Sequence, residues 1–313
     1  MDALIVTDNS AVSFDNEHLV KTQIWRATLL THVLPTIGFI TGIAGIFIWG
    51  IGWLEIISLV TMYFFTVAGV EIGFHRLFTH KAFKTNKAIT AILAILGSMS
   101  AQGPVIFWVA THRRHHVYSD KENDPHSPNL ESGKGLGALI KGLWHAHVRW
   151  QFVNDLPNTA KLARDLLKDD NIRWVNKNYL KWVYLGLIIP AVAAGLITLS
   201  LKGAALGFLW GGLIRVFLVN HATYSLNSFC HVFGGQLFKT DEQSRNNILF
   251  VIPTLGQGWH NNHHAFPNAA DLSFKWWQFD PSAILIQGLR ITGLAWDVKK
   301  PNKNQIDNKL KRN

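Results

Sequence analysis

Histidine is the residue this sequence concentrates where chemistry could be done. Nine of its 15 histidines fall into four groups. His75 and His80 bracket Arg-Leu-Phe-Thr, His112, His115 and His116 form His-Arg-Arg-His-His, His231 stands alone, and His260, His263 and His264 form His-Asn-Asn-His-His. The i, i+3, i+4 spacing of the second and fourth groups puts three imidazoles on one face of a helix each time. Two such faces turned toward each other can hold metal between them. Burying so many imidazoles together without metal would leave polar groups unpaired and cations in repulsion. His18, His32 and His221 carry no such spacing and are read as ordinary hydrogen-bonding histidines. His126, His145 and His147 lie between these cases, with His145 and His147 placed near substrate or a donor rather than on metal.

Ligand type and number narrow the metal. Imidazole suits iron, copper, nickel and zinc, and structural zinc commonly takes cysteine among four ligands. Here there is one cysteine, Cys230, and nine clustered histidines give room for two ions. A dinuclear redox centre fits better. Soluble di-iron bundles use carboxylates with paired Glu-x-x-His motifs, and this chain has no Glu-x-x-His.

The elements that position these groups are apolar. Charged residues are 16% and hydrophobic residues 48% of the 313 positions, against a globular norm of about 25% charged. Ala27 to Leu54, Ile56 to Val70, Ala88 to Ala110, Trp182 to Leu201 and Val216 to Phe238 carry no Asp, Glu, Lys or Arg. Several of these reach the roughly 20 residues that cross a bilayer. Four transmembrane helices are expected, at about 29–49, 53–72, 179–199 and 204–221. Ala88 to Ala110 contains Gln102, Gly103 and Pro104 and would put histidines on opposite sides if it crossed, so it is read as a hydrophobic segment buried on one side. Residues 155–178 read as a polar surface helix leading to the third span, and 301–313 as a disordered tail. A single cysteine excludes an intramolecular disulfide, and residues 1–26 show no cleavable signal.

The net charge of +10 accompanies no nucleic-acid-binding motif, so nucleic acid is not an expected partner. Its placement is a topology signal. Only Lys21 and Arg26 precede the first span, residues 50–52 have no Lys or Arg, and Lys202 alone lies between the last two spans. The positive-inside rule then puts both termini and the long middle segment in the cytoplasm. The expected architecture is an all-α integral membrane protein: a cytoplasmic segment 1–26, a single domain 27–300 whose cap (73–178 and 222–300) holds a histidine-rich dimetal centre, and the tail. All four histidine groups fall on one side. An apolar enzyme body at a membrane surface suits a lipid chain, whose C–H bonds need activated dioxygen.

The three boxes HRLFTH, HRRHH and GQGWHNNHH, with Asn227-Ser-Phe-Cys-His231, the DPH segment (Asp124 to His126) and GLAWD (Gly293 to Asp297), resemble the membrane-bound fatty acid desaturases, most closely the stearoyl-type delta-9 branch. The resemblance covers about Ala27 to Lys300. It implies two irons, one held by His75, His80, His112, His116 and His264, the other by His115, His231, His260 and His263 with Asn227 through a water. It implies removal of two hydrogens from a saturated acyl chain, using dioxygen and two electrons, to leave a cis double bond. It also implies a bent substrate tunnel with Gln102, Trp108 and Thr223 at the kink, Tyr224 in the place of a usual tryptophan, and Tyr63 and Val67 at the far end, where Val67 would shorten the accepted chain.

Acyl-CoA desaturases of animals carry an Arg-Asp pair where this chain has Ala110 and Thr111. Recognition of acyl-CoA is thus less supported than acyl-lipid or acyl carrier protein. The absence of a fused cytochrome b5 domain looks bacterial or cyanobacterial, which places the protein in an inner or thylakoid membrane with a separate ferredoxin or cytochrome b5 type donor. Arg113, Arg114, Arg149 and Lys239 are candidates to steer that acidic donor, or else solvated charges beside membrane lipid. Asp120 and Asp124 are expected to hydrogen-bond metal-facing imidazoles. Glu71, one turn before His75, is expected to sit solvated at the span end, with orientation of His75 as the other reading.

Three further functions are weighed against the same residues. An acetylenase, converting an alkene to an alkyne, would share every ligand. A histidine-rich hydroxylase or alkane oxygenase would insert oxygen, and the kink residues weigh against it. A membrane metal transporter would need histidines within the spans or on both sides, and the clustered ones lie on one.

Overall fold

The computed structural model describes residues 4–6, 12–14, 28–130, 135–153 and 155–311. His18 and most of residues 1–26 lie outside them. The N-terminal residues that are described form a two-stranded antiparallel pair, β1 (Leu4–Val6) with β2 (Val12–Phe14).

Among the described residues, four helices are long and apolar enough to cross a membrane: α1 (Leu29–Ile48), α2 (Trp53–Thr79), α9 (Tyr179–Thr198) and α10 (Leu201–His231). They come as two hairpins. Gly50 takes the left-handed φ of +76° that ends α1, and the Gly52 N–H donates to Glu55 Oε2 at 3.0 Å to start α2. The second hairpin turns at Leu199, with φ of +48°, and Ser200 Oγ accepts from the Gly203 N–H at 3.0 Å. Phe47, Ile48, Ile197, Leu199 and Leu201 are exposed, Leu201 by 90%. Such a contiguous apolar exterior marks a lipid-facing surface, and the protein is an integral membrane protein.

The second and fourth helices run well past the expected ends, to Thr79 and His231. They carry the first histidine box and His231 out of the apolar layer without a break. Residues 88–110 do not cross. They form the 12-residue helix α3 (Lys87–Ser98), a turn, and the start of α4 (Val105–Tyr118). At about 1.5 Å per residue α3 is too short to span. It lies against α2, where a Cβ on Gly69 would come within 2.1 Å of the Gly97 nitrogen. The polar stretch after Asp155 is not one helix but three, α6 (Thr159–Leu162), α7 (Arg164–Leu167) and α8 (Asp170–Lys177). Asn158 and Asp169 each cap a new start, accepting from Lys161 N at 3.0 Å and Ile172 N at 3.1 Å. The helix α5 (Leu136–His147) lies between α4 and these three.

Within the second hairpin, Gly203, Gly207 and Gly211 recur every four residues and let α10 close on α9; a Cβ on Gly207 would meet Pro190 O at 2.3 Å. Such small-residue stripes drive helix packing in membranes. Pro190 has no N–H to offer Gly186 O, one turn earlier. Arg215, fully buried in α10, supplies the missing donor: Nη2 reaches Gly186 O at 2.8 Å, Nη1 reaches Met99 O at 2.5 Å, and Nε reaches Gly211 O at 3.2 Å. The turn after α3 is thereby tied to both spans, and Thr31 Oγ1 adds a bond to Ala101 O at 2.8 Å.

The remaining cap elements are α11 (His260–Ala265), α12 (Pro281–Ile291) and α13 (Lys303–Lys309). Strand β3 (Lys84–Thr85) pairs antiparallel with β4 (Ala295–Trp296), so the GLAWD segment lies beside the exit of the first box. Residues 301–311 of the tail, expected to be disordered, are instead tied to the cap. Asn302 and Gln305 form a capping box for α13, Leu310 bridges Phe238, and Lys309 Nζ donates to Ala265 O at 2.6 Å.

Candidate metal centre

Four helices, α2, α4, α10 and α11, bring the nine histidines together in two sets, the ligand atoms of each set all within 4.8 Å of one another. The first set is His75, His80, His112, His116 and His263, and the second is His115, His231, His260 and His264. His75 and His80 are five residues apart, a spacing that splits across an α-helix. The end of α2 from Gly69 to Thr79 is π-helical, and the His80 N–H reaches His75 O at 3.1 Å. The wide turn, a common feature of functional sites, brings both rings together edge to face, with centres 4.7 Å apart. On α4, His112 and His116 face the first set while His115 faces the second. His263 and His264 exchange the places that the resemblance implied. His263 Nε2 is 3.1 Å from His75 Nε2 and 2.9 Å from His116 Nε2, whereas His264 Nε2 is 3.4 Å from His115 Nε2. Neighbouring residues on α11 point about 100° apart, so each can serve only one set.

The residues fit metal. His231 Nε2 lies 3.1 Å from His260 Nε2, and His116 Nε2 lies 3.2 Å from His112 Nε2. The other ring nitrogens are committed to carboxylates. His115 Nδ1 donates to Asp124 Oδ1 at 3.0 Å, and His231 Nδ1 donates to Asp120 Oδ2 at 2.9 Å. That fixes the tautomer that leaves the Nε2 lone pairs facing inward, the usual support for metal-bound histidine. Burial, then the neighbouring imidazoles, holds His80, His112, His116, His260, His263 and His264 well below their ordinary pKa, so they stay neutral. Burial alone would raise Asp120 and Asp124, but hydrogen bonds and charge from His231 and His115 outweigh it and hold both carboxylates well below the usual range. Asp120 reaches His231 from a left-handed φ of +56°.

Glu71 is not solvated. It is buried, with Oε2 3.5 Å from His75 Nδ1, and so bears on the ring as the alternative reading held. Two residues carried no sequence signal. Glu242, in a polar loop, lies 3.8 Å from His231 Nδ1 and 3.7 Å from His264 Nδ1. Gln257, inside the third box, places Nε2 3.2 Å from His75 Nε2. His126 stacks on His115 with ring centres 4.4 Å apart, and burial followed by His115 lowers its pKa to about 3. Asn227 is half-buried on α10, one turn before His231.

The kink residues form one chain. Trp108 Nε1 donates to Gln102 Oε1 at 3.1 Å, and Gln102 Nε2 donates to Thr223 Oγ1 at 2.9 Å. The Trp108 ring stacks on His112 at 5.1 Å, placing the chain against the first set. Tyr63 and Val67 share an apolar cluster with Val219, one turn before Thr223, and Tyr63 OH donates to Pro253 O at 2.7 Å. Arg113 and Arg114 are engaged within the chain. They pair with Asp165 at 2.7 Å and Asp155 at 2.7 Å, and Arg114 is buried. Lys239 and Arg149 are exposed.

Four membrane-length helices among the described residues, with two facing imidazole sets that could each hold a metal ion, define a membrane protein of the metal-binding class. Residues 51–283 match the fatty acid desaturase family. Among individual relatives, the chain is 49% identical to a hex-5-enoyl acyl-carrier-protein acetylenase of Moorena producens, covering 90% of this chain and 88% of the relative. It is 34% identical to an sn-1 stearoyl-lipid 9-desaturase of Anabaena variabilis, covering 81% and 87%. It is 31% identical to a probable acyl-CoA desaturase of Schizosaccharomyces pombe, covering 90% of this chain but only 56% of that longer relative. The chain belongs to the fatty acid desaturase family and is an oxidoreductase, a desaturase or an acetylenase.

Proposed function

We propose that the protein dehydrogenates an acyl chain carried on acyl carrier protein, using two irons held by the nine histidines with Asn227 contributing through water. The reaction takes two hydrogens from adjacent carbons, and with dioxygen, two electrons and two protons it releases an unsaturated chain and two waters. Iron supplies the activation of dioxygen. The protein's residues do the rest. Asp120, Asp124, Glu71 and Glu242 orient the imidazoles, the Trp108–Gln102–Thr223 chain bends the substrate against the first set, and the apolar wall at Tyr63 and Val67 limits its length. The single observation that carries this reading is the contact of the kink chain with His112.

The product is proposed to be an alkyne as readily as an alkene. The relative with 49% identity is named for a hex-5-enoyl chain on acyl carrier protein, and the stearoyl relative stands at 34%. A short chain also suits Val67 in a packed end wall. The delta-9 position is accordingly the weaker regiochemistry. Ala110 and Thr111 are buried, which supports a carrier other than acyl-CoA; acyl-lipid is the second choice. A separate ferredoxin or cytochrome b5 type donor is proposed to dock on the histidine-bearing side; charge placement supports a cytoplasmic position for that side, and an inner or thylakoid membrane is the proposed location.

The test is expression with a candidate carrier and a reductase system, and mass spectrometry of carrier-bound chains for wild type and His263→Ala. Loss of two or four mass units in the acyl chain, absent in the variant, is the expected result. Chains heavier by one oxygen would make the protein a hydroxylase instead.

A further inference from the structure

A second polar cluster lies away from the metal sets, where three elements meet at Tyr224. His32 comes from the start of α1, His147 from the end of α5, Gln151 from the turn that follows it, and His221, Tyr224 and Ser228 from α10. Gln151 Oε1 accepts twice, from His32 Nε2 at 3.1 Å and from Tyr224 OH at 3.3 Å. His147 is held on both sides, by Ser228 Oγ at 2.9 Å and His221 Nδ1 at 2.9 Å. Phe152 packs against His32 and Phe217 against His221. Every polar group named here has a partner except one: Gln151 Nε2 is buried and has none. A buried amide donor without an acceptor is costly unless a ligand satisfies it.

The place of this donor follows from α10. Along that helix come Val219 of the apolar end wall, Thr223 of the kink, then Tyr224 and Ser228 of the polar cluster. A chain whose tail lies by Val219 and whose bend lies at Thr223 therefore runs its head toward Gln151. The groups named are imidazole, amide, phenol and hydroxyl, with no lysine, arginine or carboxylate among them. That set suits a neutral acceptor and not a phosphate.

We propose that Gln151, held by His32 and Tyr224, donates Nε2–H to the carbonyl oxygen of the acyl chain's linkage to its carrier, a thioester or an ester, and so sets which carbons stop at the metal centre. This rests on the proposed acyl chemistry and deepens it. Gln151 is a specificity-determining residue here, and His32 and Tyr224 are positioning residues that act through it.

The experiment uses the full chain in lipid nanodiscs, with a hexenoyl group labelled with 13C at its carbonyl, presented either as the acyl-carrier-protein thioester or as a glycerolipid ester. Infrared difference spectra read the carbonyl, and turnover reads KM, kcat and product position. In wild type the labelled band moves to lower frequency on binding. In Gln151→Met the band stays at its unbound position, KM rises about tenfold, as expected for one lost hydrogen bond, kcat changes little, and the product spreads over neighbouring positions. Tyr224→Phe, which leaves Nε2 in place, gives the same changes at smaller size. A shift with the thioester alone, or with the ester alone, supports the proposal and identifies the carrier. A folded Gln151→Met that keeps the wild-type band, KM and product overturns it while the acyl chemistry stands. A wild type that binds and converts neither substrate overturns the acyl reading itself.

Discussion

Asp124→Asn is the perturbation whose outcome the geometry defines most sharply. Asp124 has no exposed side-chain surface. Its carboxylate accepts His115 Nδ1–H at 3.0 Å and the backbone N–H groups of Asp120 at 2.8 Å and His126 at 3.1 Å. An asparagine keeps one acceptor for the imidazole but removes the charge, and its NH2 end then faces a backbone donor. Losing a charge-assisted bond of this kind costs about 1.5–3 kcal/mol. The same change in a carboxylate behind a metal-bound histidine lowers metal affinity about 10–100-fold, or about 1.4–2.8 kcal/mol. The two routes agree. Because His115 serves only the second set, one ion should weaken and the other should not. The assay is anaerobic iron(II) or cobalt(II) competition against a chelator of known affinity, on wild type, Asp124→Asn and the surface control Asp297→Asn, whose pairing with Lys84 is solvent-exposed. The expected record is two ions retained in wild type and control, and one in Asp124→Asn at an intermediate chelator concentration. Equal affinity for both ions in a folded Asp124→Asn would refute the claim that Asp124 sets the His115 ring for metal.

Three other outcomes are expected. Arg76→Met leaves Asp280 buried without its bidentate partner, now at 2.9 and 3.0 Å, and should lower stability by about 3–5 kcal/mol, read as a fall in Tm; an unchanged Tm counts against it. Metal-free protein should melt at lower temperature near pH 5.5 than near pH 7.5, because histidines held below their ordinary 6.5 in the fold leave the unfolded chain to take up protons first. That stability is present above about 6.5 and lost as pH falls, and differential scanning fluorimetry should show it. Gln102→Leu breaks both bonds of the kink chain, and chromatography of the products should show about tenfold lower kcat/KM with mixed double-bond positions; a single wild-type product at full rate would remove the kink chain from the mechanism.

How much of this was readable before the fold depended on whether the signal was local. The i, i+3, i+4 histidines and the uncharged runs state their geometry through helix periodicity alone, and the one-sided placement of the boxes followed from the charges between spans. Where sequence reasoning failed, the deciding contact came from elsewhere in the chain. His75 and His80 meet through a π-helical end that no periodicity announces. Glu71 reads as a span-end charge, and its burial beside His75 becomes visible only in the packed fold. Glu242 has no spacing relation to the rings it approaches. The tail reads as disordered because α13 lacks an apolar stripe; its order comes from a capping box and from the edge of Leu237–Lys239, which Asn261 fixes from the side of the third box.

The pairing of Pro190 with Arg215 bears on how the chain enters its membrane. A guanidinium in mid-span raises the insertion cost of that helix by about 2.5–3.5 kcal/mol. Its three acceptors, Met99 O, Gly186 O and Gly211 O, all precede it in the chain and are synthesised first. The proline that leaves Gly186 O open lies in the helix that enters with Arg215 as its hairpin partner. The last two spans are therefore expected to enter best as a pair, one helix bringing the vacancy and the other the charge that fills it. Pro190→Ala, in closing that vacancy, would act at birth on the efficiency with which the fourth span leaves the translocon.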